Sequence, residues 1–181
     1  MSTVIALVGL KGSGKSTSAG IVSELLSPSY RVGRHAFARS VRELASIVFD
    51  VPLGTFYDDS TKETSLGILG GRTPREVMRN VGEGVRKFDP DFWINTLMHK
   101  LEAEEITDYV LVDDCRFRNE LDAIHAAGGV SIYVERGLFS DGHASEQAHL
   151  LKDECDYVVD NVGSIEELKT SLASILSEAL G

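Results

Sequence analysis

Gly9-Leu10-Lys11-Gly12-Ser13-Gly14-Lys15-Ser16 matches the pattern G-x-x-x-x-G-K-[ST] at every fixed position. It directly follows the apolar run Val4–Val8. A buried strand that ends in a glycine-rich turn and opens a helix makes an anion site. Successive N–H groups turn inward, and the helix N-terminus adds partial positive charge. Here Lys15 can reach the β- and γ-phosphates of a nucleotide, and the Ser16 hydroxyl can hold Mg²⁺. The plain alternative is a flexible Gly/Ser turn with an exposed lysine. The strand before and the helix-compatible sequence after weigh against it.

A second candidate anion site lies on the segment that begins Thr73-Pro74-Arg75-Glu76. Thr73 suits an N-cap, Pro74 the first helical position, and Glu76 completes a capping box. Arg75, Arg79 and Arg86 then stand four and seven residues apart, nearly on one face, with Gly82 between them. Like charges at that spacing cost about 0.2–0.5 kcal/mol per pair, which a bound anion would offset. A glycine there would let a ligand approach the backbone. The alternative is a solvated basic face neutralised by Glu76 and Glu83. Val77, Val81 and Val85 form a separate apolar stripe able to pack inward. Gly82 and Gly84 weaken the helix, so a break is expected before Arg86.

The apolar strand Val110-Leu111-Val112 ends in Asp113-Asp114, where a carboxylate can orient Mg²⁺ through water. Arg116 follows, able to bridge donor and acceptor phosphates or, more simply, to pair with Glu120. Arg136 ends the next strand. The polar stretch after it, with Gly137, Gly142, His143, Ser145 and Glu146, suits a lid that excludes water. His143 could act as a base; a hydrogen bond to Ser145 or Glu146 that anchors the loop is the simpler role. No histidine or cysteine stands at zinc-ligand spacing.

These residues need a scaffold. Strands are expected over 3–8, 31–37, 109–113, 130–135 and 156–160. Helices are expected over 15–26, 40–49, 74–87, 91–104, 118–127 and 164–179. In the second helix Val41, Leu44, Ala45 and Val48 share a face, and Ser164 with Glu167 stands in capping-box register in the last. Residues 50–72 read as irregular. Strands separated by helices imply parallel pairing, with ligands at the carboxyl ends of the strands. That rule puts Gly9–Ser16, Phe37–Arg42, Asp113–Arg116 and Arg136 on one rim.

The chain of 181 residues, 43% hydrophobic and 25% charged, suits one soluble domain. No apolar run approaches membrane-spanning length and no signal-peptide pattern is present. Cys115 and Cys155 read as reduced thiols in a cytoplasmic protein. A formal net charge of −10 argues against binding nucleic acid polymers but not against a nucleotide, because a local nest of N–H groups and cations dominates at short range. A homodimer is left open.

In five places the chain resembles the bacteriophage deoxynucleoside monophosphate kinases, within the P-loop nucleoside monophosphate kinase-like group. They are Gly9–Thr17; Phe37-Ala38 with Arg42; Arg72–Arg75 through Gly82 and Arg86 to Trp93; Asp114-Cys115-Arg116-Phe117-Arg118-Asn119-Glu120 with Gly128-Gly129; and His143–Glu146 with Asp160-Asn161-Val162-Gly163. The resemblance implies a P-loop NTPase fold, three-layer α/β/α with a five-stranded parallel sheet. It implies one kinase domain over 1–181, with a helical acceptor-binding insertion at about 38–104 and a lid loop at about 137–150. It also implies transfer of the γ-phosphoryl of ATP, with Mg²⁺, to a deoxynucleoside monophosphate, in the host cytoplasm if phage-encoded.

On this resemblance Gly9, Lys11, Gly12, Ser13, Gly14, Lys15, Ser16 and Thr17 bind the donor, with the Asp160-Asn161 turn near its adenine. Phe37, Arg42, Arg72, Arg75, Arg79, Gly82, Arg86, Trp93 and Asp114 serve the acceptor. Lys15, Arg116 and Arg136 act on the transferring group, while Ser16 and, through water, Asp114 serve the metal. Three departures from the family's habit stand out. Ser16 stands where Asp is frequent, Arg39-Ser40 where Asp-Pro is usual, and Arg79 where Gln is usual. The competing readings are a kinase of another small phosphorylated metabolite on the same scaffold, such as phosphomevalonate or dephospho-coenzyme A, and a nucleotide-binding switch without phosphotransfer.

Overall fold

The computed structural model describes residues 2–58, 60–103, 107–137 and 144–181, the side chains of 144–147 excepted. The chain forms two compact units, residues 1–36 with 100–181, and residues 37–99.

The first unit holds a parallel sheet of β1 (Thr3–Val8), β2 (Val32–His35), β3 (Tyr109–Cys115), β4 (Val130–Glu135) and β5 (Tyr157–Asp160), in the order β2-β3-β1-β4-β5. Helices α1 (Lys15–Leu26) and α6 (Ile165–Leu180) pack together. Ile5, Leu7, Leu111, Ile132, Val134 and Val159 of the sheet meet Ala19, Ile21, Val22, Leu168, Leu172 and Leu176 of these helices. The alternate residues of β1 face the other way, towards the side contacted by α5 (Arg118–Ala126). A sheet covered on both faces makes the three-layer arrangement, and its strands read as continuous apolar runs for that reason. Each fully buried Leu or Ile contributes about 1.5–3 kcal/mol.

The second unit contains α2 (Phe37–Phe49) and α3 (Pro74–Phe88). They pack around Ala45, Val51, Phe56, Leu69 and Val77, and α4 (Phe92–Ala103) follows. Residues 50–72 are largely irregular as expected, with short 3₁₀ turns at Leu53–Phe56 and Gly67–Leu69.

Four expectations need correcting. The strand expected over 31–37 is only Val32–His35, because this edge strand has a single partner, and Phe37 opens α2 instead. On α2 the buried line is Phe37, Val41 and Ala45, whereas Val48 is 64% exposed. The strand expected over 109–113 runs on to Cys115. Its register with β1 slips between the Ala6–Val112 and Val8–Cys115 pairs, a bulge that re-aims the two aspartates. Finally, α3 is unbroken through Gly82 and Gly84, so Arg86 lies on the same helix as Arg75.

The capping box at Thr73 is formed as expected. Glu76 N donates to Thr73 Oγ1 at 3.1 Å, and Thr73 N donates to Glu76 Oε2 at 2.8 Å. Those hydrogen bonds hold the Glu76 carboxyl below the usual carboxylate range, as happens when the ionised form is the one bonded. Thr73→Ala is expected to destabilise the protein by about 1 kcal/mol, read as a lower midpoint in thermal or denaturant unfolding.

Candidate active site

The loop after β1 contains three glycines of positive φ, Gly9, Gly12 and Gly14, and at two of them there is no room for a side chain. A Cβ on Gly9 (φ +146) would stand 2.6 Å from the Val134 carbonyl oxygen of β4. A Cβ on Gly14 (φ +97) would stand 2.1 Å from Asn161 Nδ2. Neither position admits a side chain, so the loop can run this close to β4 and to the turn after β5 only with glycine there.

Lys15, the first residue of α1, is 7% exposed. Its Nζ donates to the Gly9 carbonyl at 2.6 Å and to the Leu10 carbonyl at 2.7 Å. The ammonium is thereby held against the loop rather than extended into water. Helix α1 has no side-chain N-cap and no acidic residue in its first turn, whereas α3 has Glu76 there and α6 has Glu166 and Glu167. The positive end of α1 is thus left for an external anion. Ser13 Oγ is buried without a hydrogen-bond partner among the described residues. Lys11, Gly12, Ser16 and Thr17 are exposed.

β1 sits between β3 and β4, which places the loop where the chain winds to either side of the sheet. That is the ligand-binding position of open α/β sheets. Asp113 and Asp114 are the last residues of β3 before Cys115, with Arg116 just beyond the strand, and Arg136 follows the end of β4. Asp113 pairs with Arg34 of β2 at 2.6 Å. The carboxylate of Glu120 accepts the backbone N–H of Arg116 at 2.8 Å and of Phe117 at 3.1 Å, and so fixes the turn that carries Arg116 into α5. Asp160 Oδ1 accepts from Val162 N, while Asn161 is buried and donates from Nδ2 to the Ser13 carbonyl at 2.7 Å.

Burial pushes the Cys155 thiol up to about 12 and the Cys115 thiol well above its ordinary value. Neither therefore offers a thiolate nucleophile. Among the described residues no cluster of His, Cys, Asp or Glu is arranged to hold a metal by itself, and no helix is long and apolar enough to cross a membrane. His143 and the side chains of Ser145 and Glu146 lie outside the described residues.

The second unit carries the remaining predicted residues. Arg75 Nε is paired with the Glu63 carboxylate. Arg72 Nη1 reaches the Leu69 carbonyl at 3.4 Å, and Arg79 acts electrostatically on Glu76. Arg86 is half-buried. The room beside Gly82 faces Val41, whose methyl carbons would lie 3.7 and 3.9 Å from a Cβ there. Buried Trp93 donates its indole N–H to the Gly82 carbonyl at 3.1 Å. Phe37 is buried in the first turn of α2. The Arg42 guanidinium lies 4.6 Å from the centroid of the Tyr57 ring, and its Nε is buried without a partner among the described residues. Phe49, Arg72, Val77, Asn80 and Val81 line an open groove of about 310 Å³. The positions that α3 gives to this groove lie on the flank away from Arg75, Arg79 and Arg86.

Three of these neighbours were missed in the sequence. Arg34 meets Asp113 only because β2 and β3 are adjacent, which no local pattern encodes. Glu63 and Tyr57 come from the irregular segment, where no periodicity marks a face.

A parallel sheet with this loop after its central strand defines a P-loop nucleotide-binding fold. A sugar kinase from Janibacter sp. shares the fold, with a TM-score of 0.51 at 16% identity over 98% of this chain and 95% of that one. The deoxynucleotide monophosphate kinase family model matches residues 62–172. The chain belongs to that family and is a phosphotransferase. It is 27% identical to a putative deoxynucleotide monophosphate kinase of Acanthamoeba polyphaga mimivirus, over 97% of both chains. It is 32% identical to the deoxynucleotide monophosphate kinase of Enterobacteria phage T4, over 56% of this chain and 44% of that one.

Proposed function

We propose that the protein transfers the γ-phosphoryl group of ATP to a deoxynucleoside 5′-monophosphate, giving the diphosphate and ADP. The observation that carries this reading is the loop at the end of β1. It offers a helix N-terminus without a side-chain cap, a lysine held against the loop and a buried serine hydroxyl lacking a partner among the described residues. All three fit a polyphosphate better than water or a protein group. Membership of the family supplies the acceptor class.

In this reading Gly9–Thr17 hold the donor phosphates, and the Asp160-Asn161 turn borders the donor. The chain acts as one kinase domain in which the region around 38–104 receives the acceptor; part of the lid expected at about 137–150 lies outside the described residues. Arg42, Arg72, Arg75, Arg79 and Arg86 hold the acceptor phosphate, with Phe37, Gly82 and Trp93 shaping its surroundings. The exposed Ser16 hydroxyl, with Asp114 acting through water, suits Mg²⁺. When bound, that ion would neutralise charge on the donor phosphates. An oxygen of the acceptor phosphate forms the new bond to the γ-phosphorus as the bridging oxygen to the β-phosphorus leaves with ADP. Arg116 and Arg136 brace the equatorial oxygens. The acceptor is already an anion, so no general base is required.

The test is a panel of deoxynucleoside monophosphates, ribonucleoside monophosphates and non-nucleotide monophosphate esters with ATP and Mg²⁺, read as ADP and diphosphate formed. A deoxynucleoside diphosphate is the expected product. Product from a non-nucleotide ester alone would move the enzyme to another metabolite. Slow phosphate release with no phosphorylated acceptor would make it a switch.

A further inference from the structure

We infer that Asn161 is a positioning residue for the donor-phosphate loop, acting by holding the peptide between Ser13 and Gly14 in its anion-binding orientation. The inference rests on the loop binding the donor, as proposed above, and gives Asn161 a function at the phosphate end of that site.

Asn161 follows β5, far along the chain from the loop, yet it is 6% exposed. Its position is fixed from behind, because its backbone N–H donates to the Glu135 carbonyl at the end of β4 at 2.7 Å. Its side chain then donates from Nδ2 to the Ser13 carbonyl, also at 2.7 Å. In a planar trans peptide the C=O of one residue and the N–H of the next point in opposite directions. Holding the Ser13 carbonyl on Asn161 therefore aims the Gly14 N–H away from Asn161, towards the N–H groups at the start of α1. A loop with its peptide released would flip between orientations, and only one of them presents the N–H to a phosphate.

Glycine at 14 is part of the same device. With φ +97 there and a Cβ that would sit 2.1 Å from Nδ2, the amide occupies the space a side chain would take. The P-loop pattern requires glycine at that place for any anion; the close amide adds a second reason for it here. The contact also links the ends of β4 and β5 to the loop, so Arg136, next to Glu135, belongs to the same connected group.

The test compares wild-type protein with Asn161→Ala and Asn161→Asp by calorimetric titration with ATP and Mg²⁺, steady-state kinetics and thermal unfolding. Asn161→Ala is expected to weaken ATP binding about tenfold, the worth of one buried hydrogen bond that orders an anion site. The KM of the acceptor should stay close to wild type, and the melting temperature should fall by a few degrees, since an orphaned buried acceptor costs about 1–3 kcal/mol. Asn161→Asp keeps the size and the backbone bond to Glu135 but turns a donor into an acceptor facing a carbonyl, so it should weaken ATP binding further. Wild-type ATP affinity in a folded Asn161→Ala protein would overturn the inference. If that variant does not fold, Asn161→Asp decides in its place, and failure of both to fold would make the residue structural and overturn the inference too. Absence of ATP binding by the wild-type protein would instead sink the donor assignment of the loop.

Discussion

Lys15→Ala is expected to lower kcat/KM about 10³-fold while leaving the protein folded, a loss on the scale of removing one preorganised charged donor from a transition state. In the present structure the ammonium is held on the Gly9 and Leu10 carbonyls, 2.6 and 2.7 Å away. Those bonds keep the side chain at the mouth of the loop, so little conformational entropy remains to be lost when it turns to a phosphate. Alanine removes both the loop bonds and the charge. Both bonds are buried, so their loss costs about 1–3 kcal/mol of stability. Circular dichroism should be unchanged and the melting temperature lower by a few degrees. Lys15→Arg is no conservative control, since a planar guanidinium cannot occupy the space of a compact ammonium. A Lys15→Ala protein with more than a tenth of wild-type turnover would mean that the lysine does not bear on the transferring group.

The loop was legible in the sequence because its chemistry is local. The run Gly9–Ser16 carries its own conformational demands, and the apolar residues before it can only be a buried strand. The caps at Thr73 and Ser164 were legible for the same reason, each needing only a partner three residues away. What could not be read is what depends on which strands are neighbours. The hydrogen bond from Asn161 to Ser13 joins residues that meet only because the chain ends β5 near the loop after β1. Asp113 looked like a free rim carboxylate, yet a bulge in β3 and an adjacent β2 bring it to Arg34. Gly82 illustrates a different limit. A missing side chain on a helix face reads equally as access for a ligand or for another helix, and here Val41 of α2 faces the opening.

Arg116→Ala is the second large effect, expected as a fall of about 10³-fold in kcat with the KM of ATP and of the acceptor changed little. The distinction follows from when the charge develops. A guanidinium that bridges the equatorial oxygens during transfer meets more negative charge there in the transition state than in either bound ground state, so its removal falls on kcat. Arg75 provides the contrast. It lies on α3, where its present partner is the Glu63 carboxylate, and as a ground-state ligand of the acceptor phosphate it should appear in KM, by about tenfold on alanine substitution. Arg116 is suited to such a separation because its turn is not held by its own side chain. Glu120 is buried and accepts the backbone N–H groups of Arg116 and Phe117, so an alanine at 116 leaves the end of β3 and the start of α5 in place. Arg116→Lys should recover little, because one point charge cannot span two phosphate oxygens as a planar fork does. Steady-state kinetics on the three variants with both substrates varied measures the split. A raised KM with kcat unchanged at Arg116 would place it among the ground-state ligands and leave Arg136 as the cation that meets the transferring group.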